Sequence, residues 1–87
     1  MHVYTFCHTN NVDCNINPGS DVCVGIDKKN RFKLRSCYAT WRTSPIEEVK
    51  VCNCSVHVNT ANSCYSILCE NPREARRLAD AILDHLN

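Results

Sequence analysis

The sequence predicts an α+β fold: a strongly bent antiparallel sheet of about seven short strands, capped by one C-terminal α-helix. Three observations carry this. Short runs of β-branched and aromatic residues, separated by polar turns, fill the chain up to residue 69. One long amphipathic segment, residues 72–86, follows them. Strands first and a helix last imply an antiparallel sheet with the helix segregated to one side or end.

The closing helix is the most strongly encoded element. Asn71 is a good N-cap, and Pro72 suits the first helical position, where its missing N–H costs nothing. Glu74, three residues past the cap, completes a variant capping box. Ala75, Leu78, Ala79, Ile82 and Leu86 fall on one face at helical spacing. Arg73, Arg77, Asp80 and Asp84 lie opposite, while Leu83 and Arg76 fall on the flank. A helix this short is marginal alone, so it must dock on the sheet.

Along the chain, the first strand is expected over residues 2–8, and residues 9–21 form a polar loop with a Pro18-Gly19 turn. Residues 21–26 form the second strand, with Val22, Val24 and Ile26 on one face. Asp27-Lys28-Lys29-Asn30 is a hairpin turn. Residues 31–42 follow, with Phe32 and Leu34 alternating against Lys33 and Arg35; the part from Ala39 is a separate short strand with Trp41 inward. Thr43-Ser44-Pro45 breaks the ladder. Strands resume over 46–52, 53–58 and 64–69. Such a sheet leaves an open corner that the helix can plug.

The 87 residues make one domain with a modest core. A net charge of +1 argues against general nucleic-acid binding. The N-terminal residues lack the apolar core of a signal peptide, and no apolar run approaches the roughly 18 residues of a membrane span.

Eight cysteines stand at positions 7, 14, 23, 37, 52, 54, 64 and 69. They suit a disulfide framework, a four-thiolate metal site from Cys52, Cys54, Cys64 and Cys69 with His57 between, or buried free thiols. The metal spacing is unusual. Cys23, Cys37, Cys64 and Cys69 sit in or beside strand-like runs, as core fillers would.

The order of elements resembles the pleckstrin-homology/phosphotyrosine-binding superfold, and most of all the third lobe of FERM domains. The similar segments are DVCVGIDKKNRFKL, PIEEVKVC, NCSVHV and CYSILCENPREARRLADAIL. The resemblance implies a non-enzymatic adaptor module in the cytoplasm that binds a peptide from a membrane receptor or adaptor protein, with possible recruitment to the inner face of the plasma membrane. The peptide would add to the edge of the fifth strand and lean against the helix, which implicates Ile46, Val49, Lys50, Val51, Cys52, Arg76, Asp80 and Leu83. Arg35, Arg42, Arg76 and Arg77 are the arginines that could fork a phosphotyrosine.

A second resemblance covers the middle third. Cys37-Tyr38-Ala39-Thr40-Trp41-Arg42 and Ile46-Glu47-x-Val49-Lys50 are similar to the ectodomains of type II activin receptors. This implies a secreted, cystine-rich, ligand-binding ectodomain. The sequon Asn53-Cys54-Ser55 points the same way. A three-finger cystine fold, however, has no place for a four-turn closing helix.

Two further features complete the sequence reading. Lys28, Lys29, Arg31, Lys33 and Arg35 crowd one hairpin and could meet phosphoinositide head groups, each for about 1 kcal/mol. His2, His8, His57 and His85 stand in no nucleophile motif, and Glu47-Glu48 reads as surface charge, so no catalytic residues, cofactor or metal are expected.

Overall fold

The structure, a computed structural model, describes residues 3–87. Six strands precede one helix: β1 (Tyr4–Thr9), β2 (Asp21–Ile26), β3 (Arg31–Arg35), β4 (Thr40–Cys52), β5 (Ser55–Thr60), β6 (Cys64–Leu68) and α1 (Pro72–Leu86). The fold is therefore α+β with an antiparallel sheet and a C-terminal helix, built on six strands and not about seven. β2 and α1 have the bounds that the sequence pattern assigns. β1 runs later than 2–8, and His2 lies outside the described residues. β5 and β6 also shift, from 53–58 and 64–69.

The missing strand is the larger correction. Residues 31–42 divide at a turn around Cys37-Tyr38, where the Ser36 N–H donates to the Ala39 carbonyl at 2.8 Å. The chain then runs unbroken through Thr43-Ser44-Pro45. Its ladder with β3 shifts register there, from Lys33↔Arg42 to Arg31↔Pro45. Thr43 makes the irregularity tolerable. Its buried Oγ1 accepts the Phe32 N–H at 3.0 Å and donates to the Ser44 carbonyl at 2.6 Å. A side chain thus satisfies the donor that the ladder drops, and proline is admissible at such a bulge.

β4 changes partner where it bends. Thr40–Pro45 pairs with β3, and Ile46–Cys52 pairs with β5. The hairpin β5–β6 follows in regular register, and β6 returns to β1 through Thr5↔Leu68 and Phe6↔Ile67. With β1 pairing to β2, the strands close into a barrel ordered β1-β2-β3-β4-β5-β6. The β1–β2 contact is short, but Phe6 extends it by donating to Ser20 at 2.9 Å and accepting from Gly19 at 2.6 Å. Gly19 holds φ at 92°, a left-handed conformation that suits glycine.

Inward alternation fills the barrel with Phe6, Val22, Phe32, Leu34, Val56, Val58, Tyr65 and Ile67. Ile16 joins them from the 10–20 segment, which is more than the polar loop its composition suggests. Tyr65 is 1% exposed, and its ring lies 6.4 Å from that of Phe32. Its hydroxyl accepts from Trp41 Nε1 at 3.0 Å and Asn11 Nδ2 at 3.3 Å. The tyrosine therefore ties β6 to β4 and to the long loop.

α1 packs against β4 and β5. The Asn71 side chain accepts the Glu74 N–H at 2.9 Å, as the cap requires. Ala75, Leu78, Ala79 and Ile82 are buried, and Leu86 packs half-buried at the end. Arg73, Arg77, Asp80 and Asp84 face solvent.

Candidate functional site

The Ile46 N–H still donates to the Asn30 carbonyl at 2.8 Å, and beyond it residues 47–52 of β4 are paired on one edge only. Every residue pair of the Ile46–Cys52 segment is with β5, from Ile46↔Thr60 to Cys52↔Ser55, with a register shift between Ile46 and Glu48. β3 ends its pairing at Pro45. Among the described residues no strand covers the other edge of Glu47–Cys52, so part of that stretch presents unpaired backbone groups. The bend that lets β4 leave β3 also creates this edge.

Alternation sorts the side chains. Val49 and Val51 lie opposite the buried Val58 and Val56, and both are half-buried against the core. Lys50 and Cys52 are exposed on the opposite face, where Lys50 Nζ lies 3.6 Å from Glu48 Oε1. Ile46 is only 9% exposed and belongs to the core. Its expected place in a binding groove is thus corrected: the bulge after it turns it inward. On α1, Arg76 and Asp80 are exposed and Leu83 is 41% exposed. Leu83 is the one large apolar side chain that the helix leaves to water.

The basic hairpin does not act as one cluster of five. Asp27 Oδ1 accepts the N–H groups of Lys29 at 2.8 Å and Arg31 at 3.0 Å, and Oδ2 meets Arg31 Nε at 2.7 Å. Arg31 is therefore committed to its own turn. Asn30, with φ at 62°, closes that turn in a left-handed conformation. Lys28 and Lys29 sit exposed at the tip, and Lys33 and Arg35 lie along the outward face of β3. Lys33 pairs with Arg42 in the β3–β4 ladder, a neighbour that sequence spacing could not supply.

Partial burial alone would raise the Asp27 carboxyl. The backbone donors of Arg31 and Lys29 and the Arg31 guanidinium together outweigh it and hold the group below its ordinary 3.8. A carboxyl lowered on folding contributes stability above its unfolded pKa, and that contribution is lost as pH falls through the folded value. We expect the acid unfolding curve of Asp27→Asn to be flatter than that of the parent chain below about pH 4. Superimposable curves would refute the turn's electrostatic role.

Two clefts lie beside β2. One of about 530 Å³ is bounded by Val22, Cys23, Arg35, Ser36 and Cys37. Another, of about 170 Å³, runs between Val24–Ile26 and the Leu78, Ala81, Ile82 and His85 side of α1. Neither is visible in the sequence, because each joins segments far apart in the chain.

The cysteines separate into different environments. Cys69 is buried at 6% exposure, Cys37 and Cys52 are exposed, and the rest are intermediate. Core filling therefore describes Cys69 and not Cys37, which stands in a turn. Cys64 sits opposite Asn59 at one end of the β5–β6 ladder, while Cys54 and Cys69 meet at the other. The four thiols of the sequence-level metal reading thus do not converge. Among the described residues no group of three or more metal-ligating side chains does.

One pairing gave no sequence signal. His57 Nδ1 lies 2.8 Å from Ser66 Oγ across the β5–β6 ladder. On its other side His57 is opposite Lys50, a cation and not the carboxylate that orients a catalytic histidine. Ser66 is opposite His8 on β1. The arrangement is a row of polar side chains on an outward sheet face.

Among the described residues no helix is long and apolar enough to cross a membrane. Comparison with known proteins adds no relative: no family model, no curated protein and no solved structure matches the chain.

Proposed function

We propose that this domain is a non-enzymatic adaptor module that captures an extended peptide by strand addition. The peptide would pair with the open edge of Glu47–Cys52 and set side chains between Val49, Val51 and the Arg76–Asp80–Leu83 flank of α1. The observation that carries this reading is the half-paired β4 segment beside a helix with an exposed leucine. Backbone hydrogen bonds from such an edge supply affinity, and alternate side-chain positions supply specificity. The resemblance to phosphotyrosine-binding and FERM domains implies the same mode. It also implies ligands with Asn-Pro-x-Tyr-like turns, a receptor or adaptor partner and a cytoplasmic setting. The capped, docked helix favours this reading over the activin-receptor ectodomain, whose fold has no such element.

A second reading is contact with phosphoinositide membranes. It is supported by the exposed Lys28 and Lys29 and by the outward row of Lys33, Arg35 and Arg42, and it excludes Arg31, which Asp27 holds.

Amide chemical shifts test both. Synthetic Asn-Pro-x-Tyr peptides, phosphorylated and unphosphorylated, are titrated in one arm, and phosphoinositide vesicles in the other. We expect the peptide to move the amides of residues 47–52 and 76–83, and Leu83→Glu with Arg76→Glu to abolish those shifts while the melting temperature stays put. Shifts confined elsewhere, or undiminished in the double variant, would remove the groove. Vesicles that broaden only the residues of the basic hairpin would favour the lipid reading.

A further inference from the structure

Cys54 and Cys69 stand opposite each other at the base of the barrel. The β5–β6 ladder ends at Ser55↔Leu68, and the next step outward is the pair 54 and 69. The Cys69 N–H donates to the Cys54 carbonyl at 2.8 Å, so the backbones remain in ladder contact there. Cys54 ends the β4–β5 turn and Cys69 follows β6, each one residue beyond the strands whose alternation turns Val56, Val58, Tyr65 and Ile67 inward; Cys69 is buried and Cys54 half-buried. Directly opposed residues of an antiparallel pair have Cα atoms about 4.5–5.5 Å apart, within the roughly 4.4–6.8 Å that a disulfide spans.

We propose that Cys54 and Cys69 form an intramolecular disulfide when the domain meets a low-molecular-weight disulfide such as glutathione disulfide. Cys54, the more accessible of the two, attacks first: its thiolate displaces one glutathione thiolate and becomes a mixed disulfide. The Cys69 thiolate then attacks the Cys54 sulfur and displaces the second glutathione. Two protein thiols are oxidised, one glutathione disulfide is reduced to two glutathione thiols, and the two protein protons end on those thiols or in water.

The surroundings agree with this order. Burial raises the Cys69 thiol, and Glu74, Cys54 and Cys7 raise it further, so Cys69 is a poor first nucleophile but lies near the sulfur it must reach. Cys7 is the rival partner. Its thiol is turned toward the Thr5 carbonyl of its own strand, at 3.9 Å, and it sits at the register shift of β1, not opposite Cys69.

The link would tie the β4–β5 turn, next to the open edge of β4, to the residue that leads into α1. The disulfide itself does not depend on the adaptor reading.

The test uses the full chain, first fully reduced and then incubated with glutathione disulfide. Free thiols are alkylated and fragments are mapped by mass spectrometry. We expect a fragment pair joined through Cys54 and Cys69, lighter by about 2 Da than the two reduced fragments together. It should form equally in Cys52→Ser and be absent from Cys54→Ser, while alkylation still marks the exposed Cys37. A link from Cys69 to Cys7 would overturn the proposal. So would glutathione retained on Cys54 while Cys69 stays open to alkylation. The mapping on the parent chain decides the matter even if a variant fails to fold.

Discussion

Leu78→Asp is expected to unfold the domain. Leu78 is 8% exposed at the centre of the buried stripe of α1. Losing its burial costs about 1.5–3 kcal/mol, and placing a carboxylate among Ala75, Ala79 and Ile82 adds a desolvation cost of several kcal/mol. A chain of this size has about 4–13 kcal/mol of stability in all. The substitution removes much or all of it, because α1 has little stability of its own once it leaves the sheet. Circular dichroism should show loss of the cooperative thermal transition. Leu78→Met, which conserves volume, should cost less than about 1.5 kcal/mol. An unchanged melting temperature for Leu78→Asp would mean that this face of α1 is not buried against the sheet.

Tyr65→Ala should be nearly as damaging, at about 3–5 kcal/mol, because a large buried ring is replaced by a cavity beside Phe32. Tyr65→Phe isolates the hydroxyl. It leaves Trp41 Nε1 and Asn11 Nδ2 without their acceptor, at a cost of about 1–3 kcal/mol. Neither donor is fully buried, so water can replace part of what is lost and the lower half of that range is expected. Urea unfolding of the two variants separates packing from hydrogen bonding. If Tyr65→Phe unfolds with the parent chain's midpoint and slope, the hydroxyl contributes nothing to joining β6, β4 and the loop.

Local signals read correctly from the chain, and signals that depend on distant partners did not. Asn71, Pro72 and Glu74 mark a helix start because capping involves neighbours three residues apart, and the structure shows the Asn71–Glu74 bond. Phe32 and Leu34 were legible as inward because alternation needs no partner. Pro45 misled, since whether proline ends a strand depends on what replaces the lost ladder bond. Here Thr43 replaces it through Phe32, eleven residues away. Ile16 was hidden for a similar reason: one apolar residue in a polar loop says nothing about whether a barrel end lies beneath it.

Of the residues assigned to the groove, Val49 and Val51 are half-buried, Lys50, Cys52, Arg76, Asp80 and Leu83 are exposed, and Ile46 is in the core, a placement that depends on the bulge after it and not on local spacing. The basic hairpin loses Arg31 to Asp27 and gains Arg42 as a neighbour of Lys33.

By itself the chain determined an α+β fold, the bounds of α1, its buried face and the inward alternation of the strands, because each follows from spacing within a few residues. The tertiary structure alone decided that β4 runs through its proline, that its second half keeps one edge unpaired, that β6 closes on β1, and that Cys54 meets Cys69. Those features depend on which strands become neighbours, and that choice is made by the packing of a shared core, which no single stretch of sequence contains.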